Sequence, residues 1–182
     1  MTRRTLASLA AAILSAQSPS PVLVWRLARS LSLAAIAKAH GQPFDSHLQK
    51  AQSAASALAV TVPPLPEMSG EKPARLAAAM HYVLQTAGRS LASQLRQKYG
   101  TTSVATFECG SKSMLLAALY APGDSTALAA AQAVERSATT AGFNPAIFQP
   151  LLSSVRNAEP NRTVVDHVFA LDSKIAAAFP NP

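Results

Sequence analysis

The fold is decided by residues 71–120, which read EKPARLAAAMHYVLQTAGRSLASQLRQKYG followed by TTSVATFECGSKSMLLAALY. In the first part, apolar side chains recur at three- and four-residue steps, the period of one face of an α-helix. The residues on this face are Leu76, Met80, Val83, Leu84, Ala87, Leu91 and Leu95. The pattern predicts a long helix from about Pro73 to Tyr99. Gly100 should end it, because glycine readily adopts the left-handed backbone conformation found at helix ends.

A second helix should begin near Thr102 or Ser103. Its inward positions are expected to be Val104, Phe107, Ser111, Met114, Leu115 and Leu119. The later part of this helix is almost wholly apolar, so we expect it to be the most buried segment of the chain. Together the two helices should form a hairpin at the centre of the core.

Further helices are predicted on both sides of this hairpin. Proline or glycine punctuates the chain near residues 21, 41, 61–70, 122 and 142, and the proline-rich stretch at 61–70 should be a crossover loop. Four residues are expected to cap helix amino termini: Asp45, Asp124, Asn144 and Asn161. The sequence contains no convincing alternating strand pattern. It therefore predicts an all-α, single-domain helical bundle of about six or seven helices over residues 21–179, a length sufficient to bury a core.

The first 18 residues have the pattern of an export signal. Two arginines, Arg3 and Arg4, precede an uncharged run at residues 5–16 that is too short to span a bilayer. The start also resembles a twin-arginine signal. An ordinary amphipathic first helix is the alternative. The next apolar stretch, residues 22–39, contains three basic side chains, so we expect no transmembrane span in the mature chain.

Basic residues give the chain a net charge of +7, which favours anionic partners. No Lys/Arg-rich run interleaved with aromatic residues occurs, and this disfavours nucleic-acid binding. Four positions on the long helix lie seven residues apart and should share a face. With a lysine nearby they form a predicted basic ridge, made of Lys72, Arg75, Tyr82, Arg89 and Arg96. Its partner would be a protein or an anionic envelope surface; the alternative is a solvated helix face without a partner.

Candidate chemistry is confined to Cys109, His81 and His167. No histidine has a second ligand at the i+3 or i+4 spacing of helical metal sites, so no metal or cofactor is predicted. Cys109 follows Glu108, which opposes a thiolate. It belongs to a set of small residues, Ala105, Cys109, Gly110 and Ser113, which favours close packing of another helix. Glu108 and Lys112 have the spacing of a helical ion pair, exposed or buried.

These observations predict a small, exported, alanine-rich, non-catalytic protein with a structural or interaction role in the bacterial periplasm or envelope. The sequence resembles small secreted bacterial proteins of this composition, without a motif that identifies a family. The alternative is a helical bundle that binds a cofactor or metal, or an enzyme that uses Cys109 or His81. The sequence leaves the partner and the oligomeric state open.

Overall fold

The computed structural model describes residues 19–179, a range that contains seven helices and no strand. The helices are α1 (Pro21–Ala39), α2 (Asp45–Ala57), α3 (from Lys72 to Tyr99), α4 (Thr101–Leu119), α5 (Ser125–Thr140), α6 (Gln149–Arg156) and α7 (Asn161–Ala178). A short 3₁₀ turn, Pro145–Ile147, precedes α6. The predicted all-α bundle is confirmed, whereas the export signal predicted at residues 1–18 lies outside the described residues. In the part described, no helix combines the length and apolarity needed to cross a membrane.

Helix α3 contains a π-helical turn. It consists of the α-helical stretch Lys72–His81, the π-turn Tyr82–Thr86 and the α-helical stretch Ala87–Tyr99. A π-turn contains one residue more than an α-helical turn, so it rotates the stretch that follows by about 100°. Gly88 permits this turn, because a Cβ at this position would lie 2.5 Å from the carbonyl oxygen of Val83.

The π-turn changes which residues of α3 face the core. The buried stripe has four-residue spacing: Ala79, Val83, Ala87, Leu91 and Leu95. In a regular α-helix, residues at four-residue spacing change their angular position around the helix axis from one to the next. The wider π-turn compensates for part of this change. Leu84 was predicted to face inward, and this prediction is wrong, because the residue is 38% exposed. Leu119 of α4 is also 38% exposed, contrary to its predicted inward position.

Two hydrophobic clusters meet along α1 and α4. The first joins α1, α2 and α3 to one side of α4, where Phe107 is buried. The second joins the other side of α4 to α5, α6 and α7, and it includes Trp25 from α1. Because both clusters draw residues from α1 and α4, this pair of helices is the centre of the structure.

Helices α1 and α4 approach closely at Gly110. A Cβ added to Gly110 would lie 2.9 Å from the Cβ of Ala28 and 3.4 Å from Cε3 of Trp25. The predicted close helix contact is therefore confirmed at Gly110, whereas Cys109 of the same small-residue set meets Val134 of α5. The Trp25 indole also stacks edge-on against Phe143 and donates a hydrogen bond of 2.8 Å to Asp172 in α7.

The helix ends follow the predicted chemistry in most places. Gly100 adopts a positive φ of 95° between α3 and α4. Asp124 accepts a hydrogen bond from the Thr126 amide, and Asn144 accepts one from the Ala146 amide, so both caps are confirmed. The prediction for Asp45 is wrong, since its helix has no side-chain cap. That for Asn161 is also wrong, because its Nδ2 donates instead to the carbonyl of Tyr120.

The proline-rich crossover predicted at residues 61–70 is confirmed as non-helical, and it lies along α3. The Gln94 side chain forms two hydrogen bonds with the Thr61 backbone, of 2.8 and 3.0 Å. The Tyr82 hydroxyl donates to the Pro63 carbonyl at 2.5 Å. Proline cannot donate from its own backbone nitrogen, so these side chains of α3 supply the contacts that fix the loop.

The contact at Gly110 predicts that Gly110→Ala lowers the free energy of unfolding by about 1–2 kcal/mol. Glycine-to-alanine changes within helices normally stabilise the protein by about 1 kcal/mol. A decrease in the free energy of unfolding would therefore by itself indicate the close contact at Gly110. Urea denaturation followed by circular dichroism measures the effect. In an Ala28→Gly background, which removes the opposing Cβ, the same substitution should no longer destabilise. An increase in stability in the Ala28 background would contradict the close crossing.

Candidate binding groove

The predicted basic ridge does not form one surface. Tyr82 is buried, and its burial raises the pKa of the phenol to about 12. Arg75 donates from Nε to the carbonyl of Ala39 at 2.8 Å and from Nη1 to the carbonyl of Gly70 at 2.7 Å. Both side chains thus contribute to the packing of α3 against α1 and the crossover loop. Their prediction as part of a binding surface is corrected.

The physical reason is the π-turn. Up to the first residue of this turn, Tyr82, the helix face that carries Arg75 and Tyr82 points towards α1 and the crossover loop. The rotation introduced by the π-turn brings the later residues of the predicted ridge, Arg89 and Arg96, to the exposed side. Lys72 is exposed as well, at the start of the helix. A seven-residue spacing places residues on one face only where the helix is regular.

Arg89 and Arg96 lie along a groove between α3 and α5. Both helices pack against α4 with little direct contact between them, so α4 forms the floor of the groove. The floor extends along α4 from Leu119 at one end, past Lys112, to Thr101 at the other end. At the rise of an α-helix, the stretch from Thr101 to Leu119 gives the groove a length of about 27 Å.

One half of the groove is apolar and encloses about 490 Å³. Leu115 and Leu116 are buried beneath it, while Leu84 and Leu119 form its partly exposed edges. The wall from α5 consists mainly of three alanines: Ala127, Ala130 and Ala133. Short alanine side chains leave the space that larger residues would fill. The groove therefore results from small residues on α5 facing large residues on α3 and α4.

The other half of the groove is basic. The space of about 270 Å³ is lined by Arg96 of α3 and Arg136 of α5, and the space of about 280 Å³ is lined by Arg89 of α3. Lys112 lies where the apolar and basic halves meet, and it is 3.6 Å from Glu108. Both partners of this pair are partly exposed, so it contributes only a few tenths of a kcal/mol, of the order of 0.3–0.5. Glu108 is the one carboxylate among the groove-lining residues.

The three arginines of the groove have no carboxylate partner within the described residues. Arg89, Arg96 and Arg136 are exposed, and none lies within 4.0 Å of a carboxylate oxygen there. By contrast, Arg29 is paired with Asp172 and Arg156 with Glu135. The groove thus offers an uncompensated positive charge next to an apolar cleft.

Cys109 lies below this surface and away from solvent. It is fully buried, and its Sγ is 3.8 Å from the Val134 carbonyl of α5. Burial raises the pKa of the thiol to about 12, although Lys112 and a hydrogen bond with Ser113 act in the opposite direction. A nucleophilic cysteine requires the reverse, a lowered pKa and access to substrate. The geometry of Cys109 suits helix packing rather than nucleophilic chemistry.

The histidines are not gathered into a candidate metal site within the described part of the chain. His81 is exposed on α3 and His167 is half-buried on α7. Among residues 19–179, no three His, Cys, Asp or Glu side chains are grouped so that they could hold a metal ion.

The sequence signals for the groove were partial. The regular spacing of basic residues identified Arg89 and Arg96 but missed Arg136, which joins them only through the packing of α5. The alanine spacing at 127, 130 and 133 carried the missing signal, because it marks a helix side with little bulk. Leu84 and Leu119 were predicted to be core residues, because hydrophobic periodicity does not distinguish a buried helix face from the edge of a groove.

The chain matches no family model, no curated protein and no solved structure with which it was compared.

The burial of Cys109 predicts that native protein reacts very slowly with a thiol reagent such as a maleimide at pH 8. With a pKa of about 12, only about one thiol in ten thousand is ionised at that pH, against about a quarter of exposed thiols. Unfolding in urea should accelerate the reaction by more than about a hundredfold. Stopped-flow or mass-spectrometric labelling measures the rates.

A matched control is Ser53→Cys in a Cys109→Ala background, because Ser53 is exposed on α2. This thiol should react at the rate of a small free thiol in native protein. A comparable rate for native Cys109 would contradict its buried position and would reopen a role for it in chemistry.

Proposed function

We propose that this chain is an exported, non-catalytic interaction protein of the bacterial periplasm or envelope, and that the groove between α3 and α5 is its binding surface. The observation that carries the proposal is the pairing of an open apolar cleft of about 490 Å³ with unpaired arginines along the same floor. Soluble proteins generally cover large apolar surfaces, so an open cleft of this kind is characteristic of a binding site.

The edges of the groove support the same proposal. Leu84 on the α3 wall and Leu119 at one end of the α4 floor are each 38% exposed. A ligand that covers both leucines gains roughly 25 cal/mol for each Å² of apolar surface removed from water. The proposal of a non-catalytic role rests on the burial of Cys109 and the isolation of His81.

The export half of the proposal is supported by sequence pattern. Arg3 and Arg4 precede the uncharged run at residues 5–16, as in secretory signals. Small polar residues and prolines follow that run, in the region where a signal peptidase would cut.

A fluorescent probe with an apolar ring and a sulfonate, such as 1-anilinonaphthalene-8-sulfonate, should bind the groove of the native protein. Ala130→Phe fills the apolar half and should weaken binding by about tenfold, equivalent to about 1.4 kcal/mol. Titration by fluorescence measures the affinity. Ala129→Phe is the matched control, because Ala129 is exposed on α5 outside the groove. Equal affinities for the two variants would refute the groove as a binding surface.

Expression of the full chain in a bacterium should yield an exported species that lacks about the first 16 or 17 residues. Mass spectrometry of the periplasmic fraction measures the mature amino terminus. Arg3→Glu combined with Arg4→Glu should prevent export, since secretory signals require a positive start, whereas Arg26→Glu should not. Recovery of an intact Met1 in the exported fraction would refute cleavage.

A further inference from the structure

We infer that the occupant of the groove is an amphipathic α-helix of a partner protein, with acidic side chains at one end of its apolar face. This inference rests on the proposed function, since it names the class of ligand for the same groove. It follows from three features of the groove: its shape, the residues of its walls and its charge.

The shape fits a helix. Packed helices lie about 8–10 Å apart, so two helices on the same floor helix leave a trough that a further helix can occupy. Here α3 and α5 are both antiparallel to α4, and the trough extends along most of α4. Its length of about 27 Å corresponds to about five turns of a bound helix.

The walls fit the side chains of such a helix. Its apolar residues at three- and four-residue spacing would lie over Leu115, Leu116 and Leu119 of the floor and against Leu84 of the α3 wall. The alanines of α5 would let the backbone of the bound helix approach that wall closely. An isolated acyl chain is a poorer match, because small-ligand sites usually bury about 70–90% of the ligand surface. This trough is open along its length and would leave much of an acyl chain exposed. A helix brings its own polar face to cover the opening.

The charge defines the partner further. Arg89, Arg96, Arg136 and Lys112 line the trough, against the single carboxylate of Glu108. Acidic side chains near this end would pair with the three free arginines. A second copy of the chain is disfavoured, because a symmetric contact through this face would place a trough against a trough and the same cations against one another.

A display library of 18-residue helices tests the inference on the full mature protein. Each member carries a fixed leucine stripe at three- and four-residue spacing, and its flanking charged positions are Glu or Lys in equal proportion. Clones are selected on the wild-type protein and counter-selected on Ala130→Phe, which blocks the trough without a change of charge. We expect groove-dependent clones to contain Glu about ten times as often as Lys at one end of the helix.

Charge reversal on the protein supplies the second arm. In the variant Arg89→Glu with Arg136→Glu, one cation on each wall is inverted, and the preference of selected clones should shift to Lys. Arg26→Glu with Arg162→Glu makes the same change of net charge at exposed positions outside the groove, and it should leave the Glu preference unchanged. Affinity of a selected acidic helix should also fall with increasing salt, because exposed ion pairs are screened.

Three outcomes would overturn the inference. The first is a set of groove-dependent clones without a preference for Glu. The second is an identical response to the two charge-reversal variants, which would assign the preference to net charge alone. The third is binding of palmitate, blocked by Ala130→Phe, with no groove-dependent helix recovered; an anionic amphiphile would then be the ligand. In all three cases the probe titration on wild type, Ala130→Phe and Ala129→Phe reports separately whether the groove binds ligands at all.

Discussion

Helices α1 and α4 touch through Gly110 and Ala28, and this contact determines the arrangement of the other helices. With no side chain at Gly110, the two backbones approach closely enough for Trp25 to reach across α4 into the second hydrophobic cluster. There the indole meets Phe143 and binds Asp172 of α7. A larger residue at 110 would separate the helices and withdraw Trp25 from these partners. One missing methyl group therefore couples the two halves of the core.

The groove is a consequence of how the remaining helices are distributed around this pair. One side of α4 is covered by α1, while α3 and α5 flank it and leave a strip of its surface open. The π-turn in α3 contributes to the character of that strip, because it keeps the four-residue stripe of buried residues against the core and rotates Arg89 towards solvent. Local helix geometry thus links core packing to the charge of the exposed face.

Much of the fold could be predicted from the sequence, since helix ends here depend on local chemistry. Gly100, Asp124 and Asn144 act at the predicted positions because the conformations and hydrogen bonds of each depend on neighbours only a few residues away. Less of the candidate site could be predicted from the sequence. The inclusion of Tyr82 failed because a π-turn depends on tertiary packing, and Arg136 was missed because its proximity to Arg96 arises only when α3 and α5 pack on α4.

The separation of apolar and basic residues along the groove also bears on selectivity. An apolar ligand without charge would leave the three free arginines in water, where they neither gain nor lose much. A cationic helix would gain the same apolar contacts but would bring like charges together near Arg89, Arg96 and Arg136. Discrimination between partners would then come mainly from repulsion at the basic end, while the leucine-edged half would supply most of the affinity. Under the proposed function, the two halves of the groove would thus have separate roles although they share a single helix as their floor.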